Sequence, residues 1–191
     1  MNKLVQYLHS IHPLSSGLRE HLYSVVKTTD VRRRERLLKI GEVCTHIHFI
    51  EKGLFRCYYE SDSGEVCAWF MKEGDVIVSV GSFFSQAPSY QAILAMEESI
   101  VHSITYEELQ RIYKRFPEFN LIGRLITEKY YDLCEDRLYS LRMKKAAERY
   151  HYFLEGQPEM ARRIPATYIA SYLGITRETL SRIKKKIEAH R

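Results

Sequence analysis

The side chains best suited to chemistry lie close to the C-terminus, on one face of a predicted helix. That face carries two guanidinium groups, a carboxylate, a hydroxyl and an ammonium group, from Arg177, Glu178, Ser181, Arg182 and Lys185. Arginine can donate two hydrogen bonds to guanine, glutamate can accept one from cytosine, and lysine can neutralise a phosphate. The pattern therefore predicts a helix that reads base edges in the major groove of DNA, with Thr176 and Lys186 as further contacts.

The residues before this face have the spacing of a helix-turn-helix. Such a motif needs a small residue where its helices cross, a glycine in the turn, and apolar residues at fixed inward positions. Ala170 and Gly174 meet the first two needs, and the inward positions hold Ile169, Leu173, Ile175, Leu180 and Ile183. Thr176 stands at the N-cap position, although the residue three further on is Thr179, so the capping box is incomplete. A plain helical hairpin with a solvated charged face is the alternative.

The charge of the chain is unevenly distributed. The net charge is +5, but residues 142–191 hold 12 Lys or Arg against 5 Asp or Glu, whereas residues 1–141 hold 17 against 19. The positive end is where a polyanion would bind. No stretch resembles a signal peptide or a membrane span, so we expect a cytoplasmic protein. Cys44, Cys57, Cys67 and Cys134 are far apart, which predicts reduced thiols and no cofactor.

The rest of the chain predicts an α+β fold in three parts. Residues 1–117 combine two short helices with short β-branched and aromatic stretches separated by turns, which is typical of an antiparallel β-roll. Residues 118–141 form a long helix whose apolar stripe predicts a dimer interface, and residues 142–191 form the DNA-binding domain. The stripe consists of Phe119, Ile122, Ile126, Tyr130 and Leu133. The alternative is that it lies wholly on its own domain.

With these parts in this order, the chain resembles the Crp/Fnr superfamily, the regulators of the catabolite-activator type. The resemblance covers nearly the whole chain, including the β-roll glycines Gly41, Gly53, Gly64 and Gly74. It is most specific at Arg177-Glu178-Thr179 and Arg182, where the sequence matches the base-reading Arg-Glu pair of the family and the arginine that follows it. It implies a cyclic-nucleotide-binding β-roll, a homodimer formed by the long helix, a palindromic site on double-stranded DNA and RNA polymerase as a further partner.

Two departures from the family pattern concern the ligand and the end of the chain. The places that hold the ribose and the cyclic phosphate read Val78-Ser79 and Ser89-Tyr90, and no Arg or Lys lies between positions 72 and 111. The long-helix position that faces the ligand reads Cys134-Glu135, and a carboxylate would repel a phosphate. We therefore expect a protein that does not respond to cyclic AMP, with Val78, Ser79, Ser89, Tyr90 and Glu135 lining the place of an unknown effector. The absence of a cysteine before Cys44 argues against the iron–sulfur cluster of the oxygen-sensing branch, and the chain is expected to lack a long wing.

One competing interpretation makes the protein an enzyme. His46 and His48 alternate on a predicted strand, and Glu51 follows, so both imidazoles could point into a barrel and bind a metal, as in a cupin-like enzyme. A nucleotide-sensing module that regulates a partner protein is a third possibility. The basic run Arg32-Arg33-Arg34 precedes a strand and is interpreted as a solvated turn.

Overall fold

The computed structural model describes residues 2–62 and 64–189, which form two compact units, Met1–Glu128 and Lys129–Arg191. The first unit contains eight strands in two four-stranded antiparallel sheets. One sheet has the order β1-β8-β3-β6 and the other has the order β2-β7-β4-β5. The strands are β1 (Lys27–Val31), β2 (Arg36–Leu38), β3 (His46–Lys52), β4 (Phe55–Ser61), β5 (Gly64–Met71), β6 (Val76–Ile77), β7 (Gln91–Ala95) and β8 (Ser99–Thr105). The predicted antiparallel β-roll is therefore confirmed.

Short helices flank this roll. Two precede the strands, one follows β6, and one follows β8: α1 (Lys3–Ile11), α2 (Ser16–Val25), α3 (Val80–Ser85) and α4 (Tyr106–Arg115). Asn2 caps α1, because its side-chain Oδ1 accepts from the amides of Leu4 and Val5. The buried leucines of α1 and α2 belong to the same hydrophobic core as Ile50 of β3 and Ile93 of β7.

The turn between β3 and β4 requires glycine. Gly53 has a φ of +109°, a conformation that other residues rarely adopt, and a Cβ placed there would lie 2.0 Å from Oγ of Ser99. The turn brings Leu54 and Phe55, both fully buried, into the roll. Close packing thus explains one of the glycines on which the family resemblance rests.

A long helix, α5 (Pro117–Met143), begins in the first unit and ends in the second. Its first turns complete the core of the β-roll: Phe119 is 4% exposed, Ile122 is fully buried, and Ile126 packs against the same core. This corrects part of the predicted dimer stripe, because Phe119 and Ile122 are already covered by their own domain and offer no surface to a partner. Tyr130 is half-buried and Leu133 is 38% exposed, so the predicted contact can involve only the later part of the stripe.

The second unit adds four helices to the end of α5: α6 (Ala146–Gly156), α7 (Pro158–Arg163), α8 (Ala166–Tyr172) and α9 (Arg177–Glu188). Its core is built from residues of all four, including Phe153, Met160, Ile169 and Leu180. Pro158 occupies the first turn of α7, where a missing amide hydrogen costs nothing. Within the described residues, none of the helices is both long enough and apolar enough to cross a membrane.

Candidate DNA-binding site

The turn between α8 and α9 has the geometry that the sequence predicts for a helix-turn-helix. Gly174 adopts a φ of +64°, and its amide donates to the carbonyl of Ser171 at 3.1 Å. The amide of Ile175 donates to the carbonyl of Ala170 at 3.0 Å. These two bonds form a Schellman motif, which ends α8 and turns the chain sharply into α9.

The inward positions of the motif are confirmed by their burial. Five of them are less than a tenth exposed, and Ile175 is half-buried: the five are Ile169, Ala170, Leu173, Leu180 and Ile183. Ala170, at 2% exposed, leaves room for the two helices to approach each other. Burial of apolar side chains at these positions fixes which face of α9 remains outside.

The predicted N-cap is also present. Thr176 has an extended backbone, and its Oγ1 accepts from the amide of Thr179 at 3.2 Å, so α9 begins at Arg177. This cap satisfies one amide that the first turn of a helix leaves without a partner. The first turn of α9 is therefore well defined, and Arg177 and Glu178 lie in it.

The outward face of α9 is polar and open to solvent. The side chains predicted to contact DNA are all exposed: Thr176, Arg177, Glu178, Ser181, Arg182, Lys185 and Lys186. The pKa of the Glu178 carboxyl is lowered, first by a hydrogen bond from its own backbone amide and then by the Thr176 hydroxyl and the charges of Arg177 and Arg182. Glu178 is therefore ionised near neutral pH and can accept hydrogen bonds. That the seven exposed side chains contact DNA remains a prediction.

One contact of this unit was not predicted from the sequence. The Nη2 of Arg137, on α5, donates to the backbone carbonyl of Tyr172 at 3.0 Å, and its guanidinium lies 3.8 Å from the centre of the Tyr172 ring. That carbonyl belongs to the last residue of α8, where helical carbonyls lack internal partners and a cation is favourable. Arg137 therefore connects the second half of α5 to the helix-turn-helix. No local pattern joins positions 35 residues apart, so the sequence carries no signal for this contact.

Two of the residues predicted to line an effector site are buried and bonded to each other. Ser79 and Ser89 are 1% and 2% exposed, and their Oγ atoms lie 2.9 Å apart. The hydroxyl of Ser89 also donates to the carbonyl of Gln91 at 2.8 Å. These serines satisfy each other and the backbone, so neither presents a free polar group for a phosphate.

Val78 and Tyr90 adjoin these serines in the chain but differ in exposure. Val78 is half-buried, whereas Tyr90 is 68% exposed and its ring lies 5.7 Å from that of Tyr59. Glu135 belongs to the second unit, where its carboxylate accepts from the hydroxyl of Tyr131 at 3.1 Å. The predicted effector pocket therefore stays a prediction.

The roll contains a buried cation outside the stretch between positions 72 and 111, which has no Arg or Lys. Arg56 of β4 is 3% exposed, its Nη2 pairs with the carboxylate of Glu65 at 2.5 Å, and its guanidinium lies 4.3 Å from the centre of the Tyr58 ring. A buried guanidinium held in this way contributes to the structure of the sheet, because its charge is already compensated.

The histidines of the competing enzyme interpretation are engaged in structural contacts. His48 is 8% exposed, its Nδ1 lies 2.6 Å from Oγ of Ser103, and burial, with a smaller effect of His46, lowers its pKa to about 4. Glu51 lies 2.5 Å from Nε2 of His102. Across residues 2–62 and 64–189, no group of three or more His, Cys, Asp or Glu side chains is placed to hold a metal ion. The cupin-like interpretation therefore gains no support from this geometry.

Comparisons with known proteins agree with this architecture. Residues 28–116 match the cyclic nucleotide-binding domain family. A search of curated proteins gives no match. Among solved structures, FixK2 from Bradyrhizobium japonicum is similar with a TM-score of 0.75 and 21% identity, over 87% of this chain and 86% of FixK2.

Two further structures extend the similarity. A putative transcriptional regulator of the Crp/Fnr family from Eubacterium rectale has a TM-score of 0.73 and 19% identity, covering 97% of this chain and 88% of its own. A CooA mutant from Carboxydothermus hydrogenoformans has a TM-score of 0.71 and 19% identity, covering 96% of this chain and 83% of the CooA chain. At these identities the similarity establishes the fold.

The fold and the site together define a protein in two parts, in which a β-roll similar to the cyclic nucleotide-binding domain family precedes a helix-turn-helix. Residues 28–116 are the part that matches that domain family. The chain has the fold of the Crp/Fnr regulators, which confirms the resemblance inferred from its sequence.

Proposed function

We propose that this protein is a transcription regulator that binds specific double-stranded DNA sequences through α9. The observation that carries the proposal is the exposed face of that helix, held in place by the Thr176 cap and the Gly174 turn. Arg177, Glu178 and Arg182 lie on its first two turns, where a helix inserted in the major groove brings side chains to base edges. Lys185 and Lys186 lie further along the helix, where phosphates are closer than bases.

The regulator binds DNA as a homodimer on a palindromic site. Support comes from the second half of α5, which exposes large apolar side chains: Tyr131, Leu133, Leu138, Tyr139 and Met143 are each between 38% and 67% exposed. Tyr131 and Leu138 are seven residues apart, the spacing that places side chains on one side of a helical pair. Exposed apolar groups of this number are typical of a surface that a partner covers.

The regulator acts without cyclic AMP or cyclic GMP. A cyclic phosphate needs a charged or strongly polar partner, and the corresponding serines, Ser79 and Ser89, are buried and bonded to each other. Arg56, the buried cation of β4, is compensated by Glu65. RNA polymerase remains the partner that this type of function implies.

The proposal is tested by selecting duplexes bound by the full chain from a pool of random DNA. We expect one enriched palindromic sequence. The variant Arg182→Ala should lose the enrichment, whereas Arg33→Ala, which removes one exposed arginine from the first unit, should keep it. Retention of DNA without any enriched sequence would reduce the function to non-specific association, and no retention at all would refute DNA binding.

A further inference from the structure

The hydroxyl of Thr179 connects the N-cap of α9 to one of the side chains proposed to read bases. Its Oγ1 lies 3.1 Å from Oγ1 of Thr176, and Nη2 of Arg182 donates to it at 3.2 Å. The amide of Thr179 donates in turn to Oγ1 of Thr176. The N-cap side chain and two side chains on the first two turns of α9 are thus joined by hydrogen bonds.

This arrangement uses the acceptor capacity of Thr179. A hydroxyl oxygen has two lone pairs, and here one faces the hydroxyl of Thr176 and the other faces the guanidinium of Arg182. The hydroxyl of Thr176 can donate its single proton either to Oγ1 of Thr179 or to the Glu178 carboxylate. In both cases Oγ1 of Thr179 still accepts the hydrogen bond from Arg182. Arg182 is otherwise an exposed, long side chain with many rotamers.

Restricting such a side chain before binding lowers the cost of binding. An arginine that is free in solution loses rotamer freedom when it forms a bidentate contact with a base, and an arginine already held in one direction loses less. Arg182 donates to Thr179 through one nitrogen, and its remaining donors are open to a base.

We infer that Thr179 is a positioning residue that holds the Arg182 guanidinium ready for base readout, and so contributes to sequence specificity without contacting a base. This inference rests on the proposed function. If Thr179 served only to cap the helix, its side chain would affect the stability of α9. The effect of replacing it would then be the same whichever residue stood at position 182.

The test uses the full chain and two duplexes, one obtained by selection from random DNA and one with the same bases in scrambled order. Thr179→Val removes the hydroxyl but keeps the branched shape and a similar helix propensity. Thr179→Ser restores the hydroxyl. We expect Thr179→Val to weaken binding to the selected duplex about fivefold, the effect of one ordinary net hydrogen bond, with no change on the scrambled duplex, and Thr179→Ser to return to the original affinity.

The same substitution in an Arg182→Ala background separates positioning from capping. If Thr179 acts through Arg182, Thr179→Val should have no further effect on the affinity for the selected duplex when Arg182 is absent. An equal loss in both backgrounds, or a fall in thermal stability that accounts for the loss, would overturn the inference while leaving the proposed function intact. Failure of the unmodified chain to enrich any sequence would instead remove the proposed function, and the inference with it.

Discussion

The polar groups of the β-roll and those of α9 differ in burial and in bonding. In the roll, Ser79 and Ser89 are buried against each other, and His48 is bonded to Ser103. On α9, Arg177, Glu178 and Arg182 are exposed and held on one face by a cap and a packed underside. A satisfied, buried polar group stabilises a fold, whereas an exposed and oriented one can bind a partner. The described polar groups of the roll named here are thus used within the fold, whereas those of α9 are available to the DNA partner that we propose.

The largest expected effect concerns the proposed dimer. A monomer would present only one α9 and would contact only one half of a palindromic site. Leu138→Glu places a charge among the exposed apolar side chains of the second half of α5, and we expect monomers. Loss of the second half-site contact should weaken binding to a palindromic duplex by about a hundredfold or more. Light scattering and DNA titration measure the two effects, and Arg124→Glu, also exposed on α5, is the control. A monomer in the unmodified protein would contradict the prediction.

Core substitutions test whether DNA binding depends on the second unit alone. Leu180 and Ile93 are 1% and 0% exposed, so replacing either by alanine should cost about 2 to 5 kcal/mol of unfolding free energy. We expect Leu180→Ala to abolish DNA binding and Ile93→Ala to leave the affinity of the folded protein unchanged. Calorimetry and DNA titration check this pair, and equal losses of affinity would show that the roll contributes to DNA binding.

Acid should destabilise the roll through His48. Its pKa is about 4 in the folded protein because of burial, against 6.5 when unfolded, so the unfolded state takes up the proton first. The contribution of neutral His48 to stability is complete above pH 6.5 and is lost as the pH falls towards 4, by about 3 kcal/mol. His48→Gln should show a flatter stability profile in denaturant titrations over this range. Parallel profiles of the two proteins would contradict the burial argument.

Substitutions of base-reading and of phosphate-binding residues on α9 should change the affinity for the selected duplex and for scrambled DNA in different ways. Arg182→Ala should cost about 1 to 3 kcal/mol of binding free energy on the selected site and little on scrambled DNA. Lys186→Ala should weaken both alike and lower the salt dependence by roughly one unit of slope for each phosphate contact removed. Titrations at two salt concentrations measure both. An equal loss on both duplexes for Arg182→Ala would mean that α9 does not read bases.

The smallest expected effect is that of cyclic nucleotides. With Ser79 and Ser89 bonded to each other, we expect cyclic AMP and cyclic GMP to bind no better than millimolar, about 4 kcal/mol of binding free energy. Isothermal calorimetry on the full chain provides the test. A micromolar dissociation constant would show that the serine pair opens, and the contrast between the two regions would then disappear.

The sequence by itself determined the features that depend on local spacing. The seven helix-turn-helix positions, the cap at Thr176 and the positive φ of Gly174 follow from residues within a few positions of one another, because helix period and turn conformation are local. Only the tertiary structure decided the rest. Phe119 and Ile122 belong to the core of the roll, Ser79 bonds with Ser89, and Arg137 holds the end of α8. An apolar stripe on a helix indicates that another surface will cover it. Which surface covers it depends on the elements, distant in sequence, that the fold packs against the helix.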